Sequence, residues 1–286
     1  MPASIAVIIP CYNQGQYVAE AVDSILRQSY QDFEIIVVND GSTQQATNDI
    51  LSRFERPKTR ILTTSNQGLS AARNNGIKAS LCPYILTLDA DDLFEPTFLE
   101  KAVAVLDTRP EVGVVTCWVQ SFGAMSHLWR PKGGNVRNFL VVSNSCGNAL
   151  FRRVCWEQVG GYNEAMREGF EDWDFWLSVT AQGWLVHTLQ EALFLYRRTP
   201  GSMFFTAQKQ RLKLIRRLVE NNKAVFVQHV VDCMEAQEQR AQRLETIMEG
   251  RIRAYETSTA LRLGRFLLQP AWSARRLLKR ITKKDK

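Results

Sequence analysis

Pro83-Tyr84-Ile85-Leu86-Thr87-Leu88-Asp89-Ala90-Asp91-Asp92 is the stretch on which the reading of this 286-residue chain turns. Its first six residues form a short apolar run with the length and composition of a buried strand. Its last four crowd three carboxylates where that strand stops. Like charges this close destabilise one another unless a cation sits between them. Oxygen-only ligands suit Mg²⁺ or Mn²⁺, ions that commonly bridge to substrate phosphates. A solvated acidic turn, capping a helix that starts near Glu95-Pro96, explains the same residues without chemistry, so the surrounding sequence has to choose.

The preceding segments alternate strand and helix. Residues 5–10, 33–39 and 60–64 are β-rich apolar runs, as are 84–88 and 112–118. Between the first two, residues 16–28 set Tyr17, Ala21, Ile25 and Leu26 at helical spacing, and 69–78 and 97–107 read as further helices. This β-α-β alternation predicts an α/β fold with a mostly parallel, Rossmann-like central sheet flanked by helices. Ligands bind such sheets beyond the carboxyl ends of the strands. The polar clusters sit there: Pro10-Cys11-Tyr12-Asn13 after the first strand, Asp40-Gly41-Ser42-Thr43 after the second, Asn66-Gln67-Gly68 after the third, the acidic tetrapeptide after the fourth.

Residues 118–147 are irregular. Beyond them the spacing predicts a strand at 148–152, a turn at Gly160-Gly161-Tyr162, a helix over 172–182 and strands near 184–187 and 193–196. No G-x-G-x-x-G follows the first strand and no G-x-x-x-x-G-K-[ST] occurs, which disfavours a nicotinamide oxidoreductase and a P-loop kinase. Six cysteines without C-x-x-C spacing argue against zinc or a disulfide framework and make a reducing cytoplasm the default. No apolar run approaches the length of a membrane span.

The net charge of +7 is unevenly spread: residues 1–202 carry −4 and residues 203–286 carry +11. The chain therefore divides into a body, 1–202, and a basic, mostly helical extension, 203–286. Within the extension Leu212, Ile215, Leu218 and Val219 form one apolar face and Val227, Val230 and Val231 another, suited to packing on the body or on a second copy of the chain. Residues 271–286 combine Trp272, Leu277, Leu278 and Ile281 with Arg275, Arg276, Lys279, Arg280, Lys283 and Lys284, a pattern that lies on an anionic membrane surface; a frayed solvated end explains it equally. No aromatic-interleaved sheet motif points to nucleic acid.

Six segments in order match one family: residues 7–13 (VIIPCYN), 37–43 (VVNDGST), 66–76 (NQGLSAARNNG), 88–92 (LDADD), 160–162 (GGY) and 171–177 (EDWDFWL). The chain resembles inverting glycosyltransferase family 2, enzymes of the GT-A fold that use nucleotide-sugar donors. Each segment alone is weak; all six at this spacing are specific, and they cover about residues 5–200.

The resemblance implies roles. Pro10 and Tyr12 line the nucleoside pocket, and Asp40 accepts a hydrogen bond from a pyrimidine N–H. Arg73 falls where the family places a basic residue near the diphosphate, although a solvated helix arginine fits the sequence nearly as well. Asp89 serves the donor's ribose or sugar, and Asp91 or Asp92 holds Mn²⁺ or Mg²⁺. Asp172 aligns with the catalytic base, and Glu171 orients the acceptor or Asp172. The chain departs from the family at Tyr196-Arg197-Arg198-Thr199, where many relatives carry a histidine in place of Thr199; Arg197 or Arg198 is then the candidate for the diphosphate. A processive polymerase's Q-x-x-R-W is missing. The implied function is non-processive, inverting transfer of one sugar from a nucleotide-diphosphate donor, a UDP-sugar by preference, to a glycan, lipid-linked or protein hydroxyl. It would take place in the cytoplasm or at the inner face of the membrane, in polysaccharide or cell-envelope synthesis. A non-catalytic nucleotide-sugar-binding or scaffold protein on the same fold is the rival from another class. A nucleotidyltransferase is the rival enzyme, but it leaves Glu171-Asp172 unexplained.

Overall fold

The computed structural model describes residues 3–199, 203–259 and 261, with side chains left undescribed at 203–205. The first four strands are β1 (Ile5–Cys11), β2 (Phe33–Asp40), β3 (Thr59–Thr64) and β4 (Tyr84–Thr87). They run parallel in the order β3-β2-β1-β4. The helices α1 (Gly15–Leu26), α2 (Gln45–Ser52) and α3 (Leu69–Lys78) connect them. β1 is buried along its whole length, as expected of a central strand covered on both faces. Its side chains divide with period two. Ile5, Val7 and Ile9 join a core with α1, while Ala6 and Ile8 join a second core with α3.

The chain continues through β5 (Leu93–Phe94), α4 (Phe98–Thr108), β6 (Val112–Gly123), β7 (His127–Trp129) and α5 (Val136–Phe139). Then come β8 (Leu150–Arg152), α6 (Arg153–Val159), α7 (Glu171–Ala181) and β9 (Leu185–Arg198). The sheet extends past β4 as β8-β6-β9-β5, with β7 beside β6. Here it is mixed: β8 is antiparallel to β4 and β6, β6 and β9 are parallel, and β5 is antiparallel to β9. The two strands expected near 184–187 and 193–196 are one strand. The register slips so that Leu189 faces Cys117 and Ala192 faces Trp118, and the exposed pair Gln190-Glu191 between them bulges out.

α8 (Met203–Lys209), α9 (Arg211–Asn221), α10 (Lys223–Gln228) and α11 (Val230–Glu256) follow. α9 buries Leu214 and Leu218, the latter against the second core, whereas Leu212 is 84% exposed. The i, i+4 pair 214/218 sets the buried stripe, and Leu212 lies off it. The described chain forms two compact units, the first running through Cys233 and the second starting at Met234. No described helix is long and apolar enough to cross a membrane. Residues 271–286, the basic segment, lie outside the described residues.

α3 approaches β1 and β2 closely because Gly76 has no side chain. A Cβ there would stand 2.4 Å from Ile8 Cγ2 and 3.0 Å from Val38 Cγ2. Gly76→Ala gains about 1 kcal/mol of helix propensity but forces an overlap that costs about 1–3 kcal/mol in a packed core. The overlap should win, lowering the midpoint of urea unfolding; an unchanged or raised midpoint would show that α3 stands further off the sheet.

Candidate active site

The carboxyl ends of β1, β2 and β4 meet on one rim, and side chains stitch their loops together. Asn13, at φ 57°, accepts the backbone N–H of Thr43 and of Gln44 on Oδ1, both at 2.9 Å. This ties the loop after β1 to the loop after β2. Asp40, 3% exposed, holds the next loop: Oδ1 accepts from Gln67 N at 2.9 Å and Oδ2 from Gly68 N at 2.8 Å. Thr64 Oγ1 donates a weaker bond to Oδ1 at 3.4 Å. A carboxylate offers about four acceptor positions, so about one remains for a ligand. Pro10 is buried in β1, while Tyr12 is 44% exposed at the rim.

The acidic loop after β4 separates its three carboxylates by environment. Asp89 accepts from Arg73 Nη2 at 2.8 Å. Asn148 braces the loop: its Oδ1 accepts from Asp89 N at 3.0 Å, and its Nδ2 donates to Asp89 Oδ2 and Asp92 Oδ2 at 3.3 and 3.4 Å. Asp92 is fully buried and also accepts Arg197 N at 2.7 Å. Burial, with Asp89 and Asp91 nearby, pushes the Asp92 carboxyl well above its ordinary range. Asp91 stays partly exposed. Burial and the charge of Asp89 raise it to about 6.

Arg197, one of the two arginines named for the diphosphate, is occupied within the protein. Nε donates to Asp91 O at 2.8 Å and Nη2 to Glu20 Oε2 at 2.6 Å, with the guanidinium over the rings of Tyr17 and Phe122. Arg198 stacks over Tyr196 at 4.8 Å. Among the described residues no three His, Cys, Asp or Glu side chains converge to hold a metal. The carboxylates fit an ion that takes one or two of them and completes its shell with phosphate and water, the habit of Mg²⁺.

Across the rim stands the N-terminus of α7. Phe170, immediately before it, holds φ 63°, a left-handed conformation costing an aromatic residue about 1–2 kcal/mol. Glu171, Asp172 and Asp174 fill the first turn, where the helix dipole favours carboxylates. Asp172 Oδ1 accepts its neighbour's backbone, Trp173 N, at 2.8 Å. Asp174 points elsewhere and accepts from Asn221, the last residue of α9, and from Asn222, which caps that helix, at 3.1 and 2.9 Å. The indoles of Trp173 and Trp176 donate to Phe139 O and Cys146 O at 2.6 and 3.0 Å. They fix the irregular segment that carries Gly147 and Asn148. A Cβ on Gly147 would lie 3.5 Å from Asp172 Oδ2 and 3.7 Å from Arg73 Nη2, so the glycine keeps the space between them open.

Arg73 joins the two sides. Its side chain is 1% exposed, with Nη2 on Asp89 and Nη1 on Glu171 Oε1 at 3.0 Å. Burial alone would lower its pKa; Asp89 and Glu171 outweigh that and hold it above its ordinary value. The solvated-helix alternative for Arg73 does not describe this side chain. Asp172 has no ion pair of its own. Burial first, then the Glu171 charge, raises it to about 7, with Arg73 pulling the other way. Sequence reasoning missed Asn148 and the Arg197 tether. Both bind the acidic loop from positions 56 or more residues away, and no local pattern marks them.

Residues 6–160, over half the chain, match the family model described as "Glycosyl transferase family 2". The chain belongs to that family. Among relatives of this chain, the "Uncharacterized glycosyltransferase EpsJ" of Bacillus subtilis is 28% identical over 217 residues, 70% of this chain and 62% of that one. An uncharacterized glycosyltransferase of Rickettsia bellii is 28% identical over 218 residues, 74% of this chain and 31% of its own. The chain thus spans less than two thirds of either relative's length. Solved structures share its fold at low identity. Staphylococcus aureus TarS 1–349, in complex with UDP-GlcNAc, superposes with TM-score 0.60 at 19% identity, covering 71% of this chain and 61% of that one. The mannosyltransferase PcManGT of Pyrobaculum calidifontis, in complex with GDP-Man and Mn²⁺, gives 0.58 at 16%, covering 92% and 83%. The fold is of the GT-A type, with helices at the C-terminal end.

Arg73→Met leaves Asp89 and Glu171 without their buried cation. Breaking a buried pair costs about 3–5 kcal/mol, so chemical unfolding should show a loss of that order. A loss below about 1 kcal/mol, the worth of a surface pair, would contradict the buried bridge.

Proposed function

We propose that this glycosyltransferase transfers one sugar, with inversion, from a nucleotide-diphosphate donor to an acceptor hydroxyl. The observation that carries the reading is the pairing, through Arg73, of the acidic loop after β4 with the Glu171-Asp172 turn of α7. Two groups of carboxylates with different environments face one rim: one suited to a cation and diphosphate, the other to a proton.

Tyr12 would stack on the base, beside Pro10, and the remaining acceptor position of Asp40 would take a base N–H. A uridine donor is the first candidate. UDP-GlcNAc and GDP-Man occupy TarS and PcManGT respectively, so guanosine is the alternative to test. Asp89, fixed by Arg73 and Asn148, would face the donor's ribose or sugar. Of the adjacent pair, Asp91 suits Mn²⁺ or Mg²⁺ better than Asp92, whose oxygens already serve Arg197 N and Asn148. A bound divalent ion supplies counter-charge for the departing diphosphate.

Asp172 would accept the proton of the acceptor hydroxyl as that oxygen bonds to the anomeric carbon. The bond from that carbon to the diphosphate breaks, and the diphosphate leaves with the electron pair. A base near pKa 7 is well matched to neutral operation. Glu171, held by Arg73, would keep Asp172 oriented without competing for the proton. The acceptor is a hydroxyl on a glycan, lipid-linked intermediate or protein.

Asp172→Asn should lower turnover of the preferred donor by about 10²–10⁴, the usual worth of a general base. Release of UDP or GDP is the readout, with uridine, guanosine and thymidine sugars each tried with Mn²⁺ or Mg²⁺. Unchanged turnover would refute the base, and binding without turnover given a competent acceptor would favour a scaffold. The same variant should be more stable than wild type at neutral and higher pH. Burial raises Asp172 from 3.8 to about 7. Within that window the folded protein keeps a proton the unfolded chain has lost, so stability falls as pH rises. The gain in thermal midpoint should be full above about 7 and vanish towards 3.8. A variant less stable at every pH would contradict the environment assigned to Asp172.

The basic end, 271–286, would hold the enzyme on an anionic membrane surface, where a lipid-linked acceptor resides. Co-sedimentation with phosphatidylglycerol vesicles should be lost on deleting 271–286 and weakened by salt. Equal binding by both forms would sink the attachment.

A further inference from the structure

The second compact unit carries a surface that needs a partner. From Met234 to Glu256 every residue of α11 except Ala236 is exposed, and the helix buries none of its side chains. Met234, Leu244, Ile247, Met248, Ile252 and Tyr255 are each more than half exposed. At about 3.6 residues per turn these six share one face. Met234, Ala241, Met248 and Tyr255 recur every seven residues with Leu244 set between them, the spacing of a coiled-coil seam. Most helical stability in proteins comes from packing an apolar face. A 27-residue helix with no buried side chain therefore lacks its main source of stability until that face is covered.

The charges beside the seam say what covers it. One edge carries Glu238, Glu245 and Ile252; the other carries Arg240 and Ile247. In a parallel, in-register pair of identical helices, one helix's first edge meets its partner's second edge. Arg240 then faces Glu245 of the other copy, and Ile247 faces Ile252. In an antiparallel pair like edges meet, so the edge carrying Arg240 faces no edge that carries glutamate. We propose that α11 forms a parallel two-stranded coiled coil with α11 of a second copy of this chain. Gln237 and Arg251 fall within the seam; polar residues there fix register at a cost in stability, so the dimer is reversible. This pairing is independent of the reaction proposed above, because it uses no residue of the rim.

Sedimentation velocity of the full chain over a concentration series tests it. Wild type should pass from monomer to dimer, and Leu244→Glu combined with Met248→Glu should abolish the dimer while sugar-nucleotide turnover per chain persists. Arg240→Glu and Glu245→Arg should each weaken the dimer about three- to tenfold, the effect of reversing two symmetry-related edge pairs. The double reversal should restore it. Single reversals without effect in a dimer that still needs Leu244 and Met248 would overturn the parallel arrangement. A monomer at every concentration would overturn the proposal, as would association indifferent to the seam. A monomer that dimerises only after deletion of 262–286 would mean that the chain covers its own seam, and would overturn it too.

Discussion

Arg73 is a buried guanidinium held between Asp89 and Glu171, carboxylates from opposite sides of the rim. Taking a charged group out of water costs several kcal/mol, which only well-placed opposite charges offset. Both carboxylates must therefore arrive together. Asp89 is delivered by the parallel half of the sheet, through β4, and Glu171 by α7, which lies between strands β8 and β9 of the mixed half. The bridge spans 98 residues of sequence on its longer arm. One ion pair network thus makes the site's two sides a single object.

The same arrangement distributes function among similar groups. Glu171 spends its charge on Arg73, while Asp172, next in sequence, is partly buried without a direct cation and rises to about 7. Asp92 spends its oxygens on the protein, and Asp91 keeps an exposed edge with a raised pKa of about 6. In each adjacent pair one carboxylate is tied to other parts of the protein and the other keeps more of its oxygens for a ligand or a proton. Such destabilised groups, like the left-handed Phe170 before α7, are what a binding or catalytic site keeps at the expense of stability.

Much of this was legible from residue patterns. β1, β2 and α3 follow directly from apolar periodicity and turn residues, and the polar clusters after β1, β2 and β4 mark the rim. What stayed hidden has a common physical cause: it depends on partners distant in sequence. Arg73 reads as a basic residue near a phosphate, but its burial depends on Tyr162, Asp89 and Glu171 closing around it. Asn148 sits at the edge of an irregular segment with no motif, and its value comes from Asp89 and Asp92. Arg197 looks available until Tyr17, Phe122 and Glu20 surround it. The slip at Gln190-Glu191 is a compromise between two strands, and neither strand shows it alone.

The central claim is that Arg73 holds the two sides together and tempers the base through its charge. The pH dependence of kcat/KM, measured for wild type and Arg73→Lys, tests it most directly. Wild type should show an acidic limb near pH 7, set by Asp172. Lysine is shorter and cannot fork to both carboxylates, so positive charge near Asp172 falls and the limb should move to higher pH. Superimposable profiles, or a wild-type limb near an ordinary carboxylate's 3.8, would contradict the account.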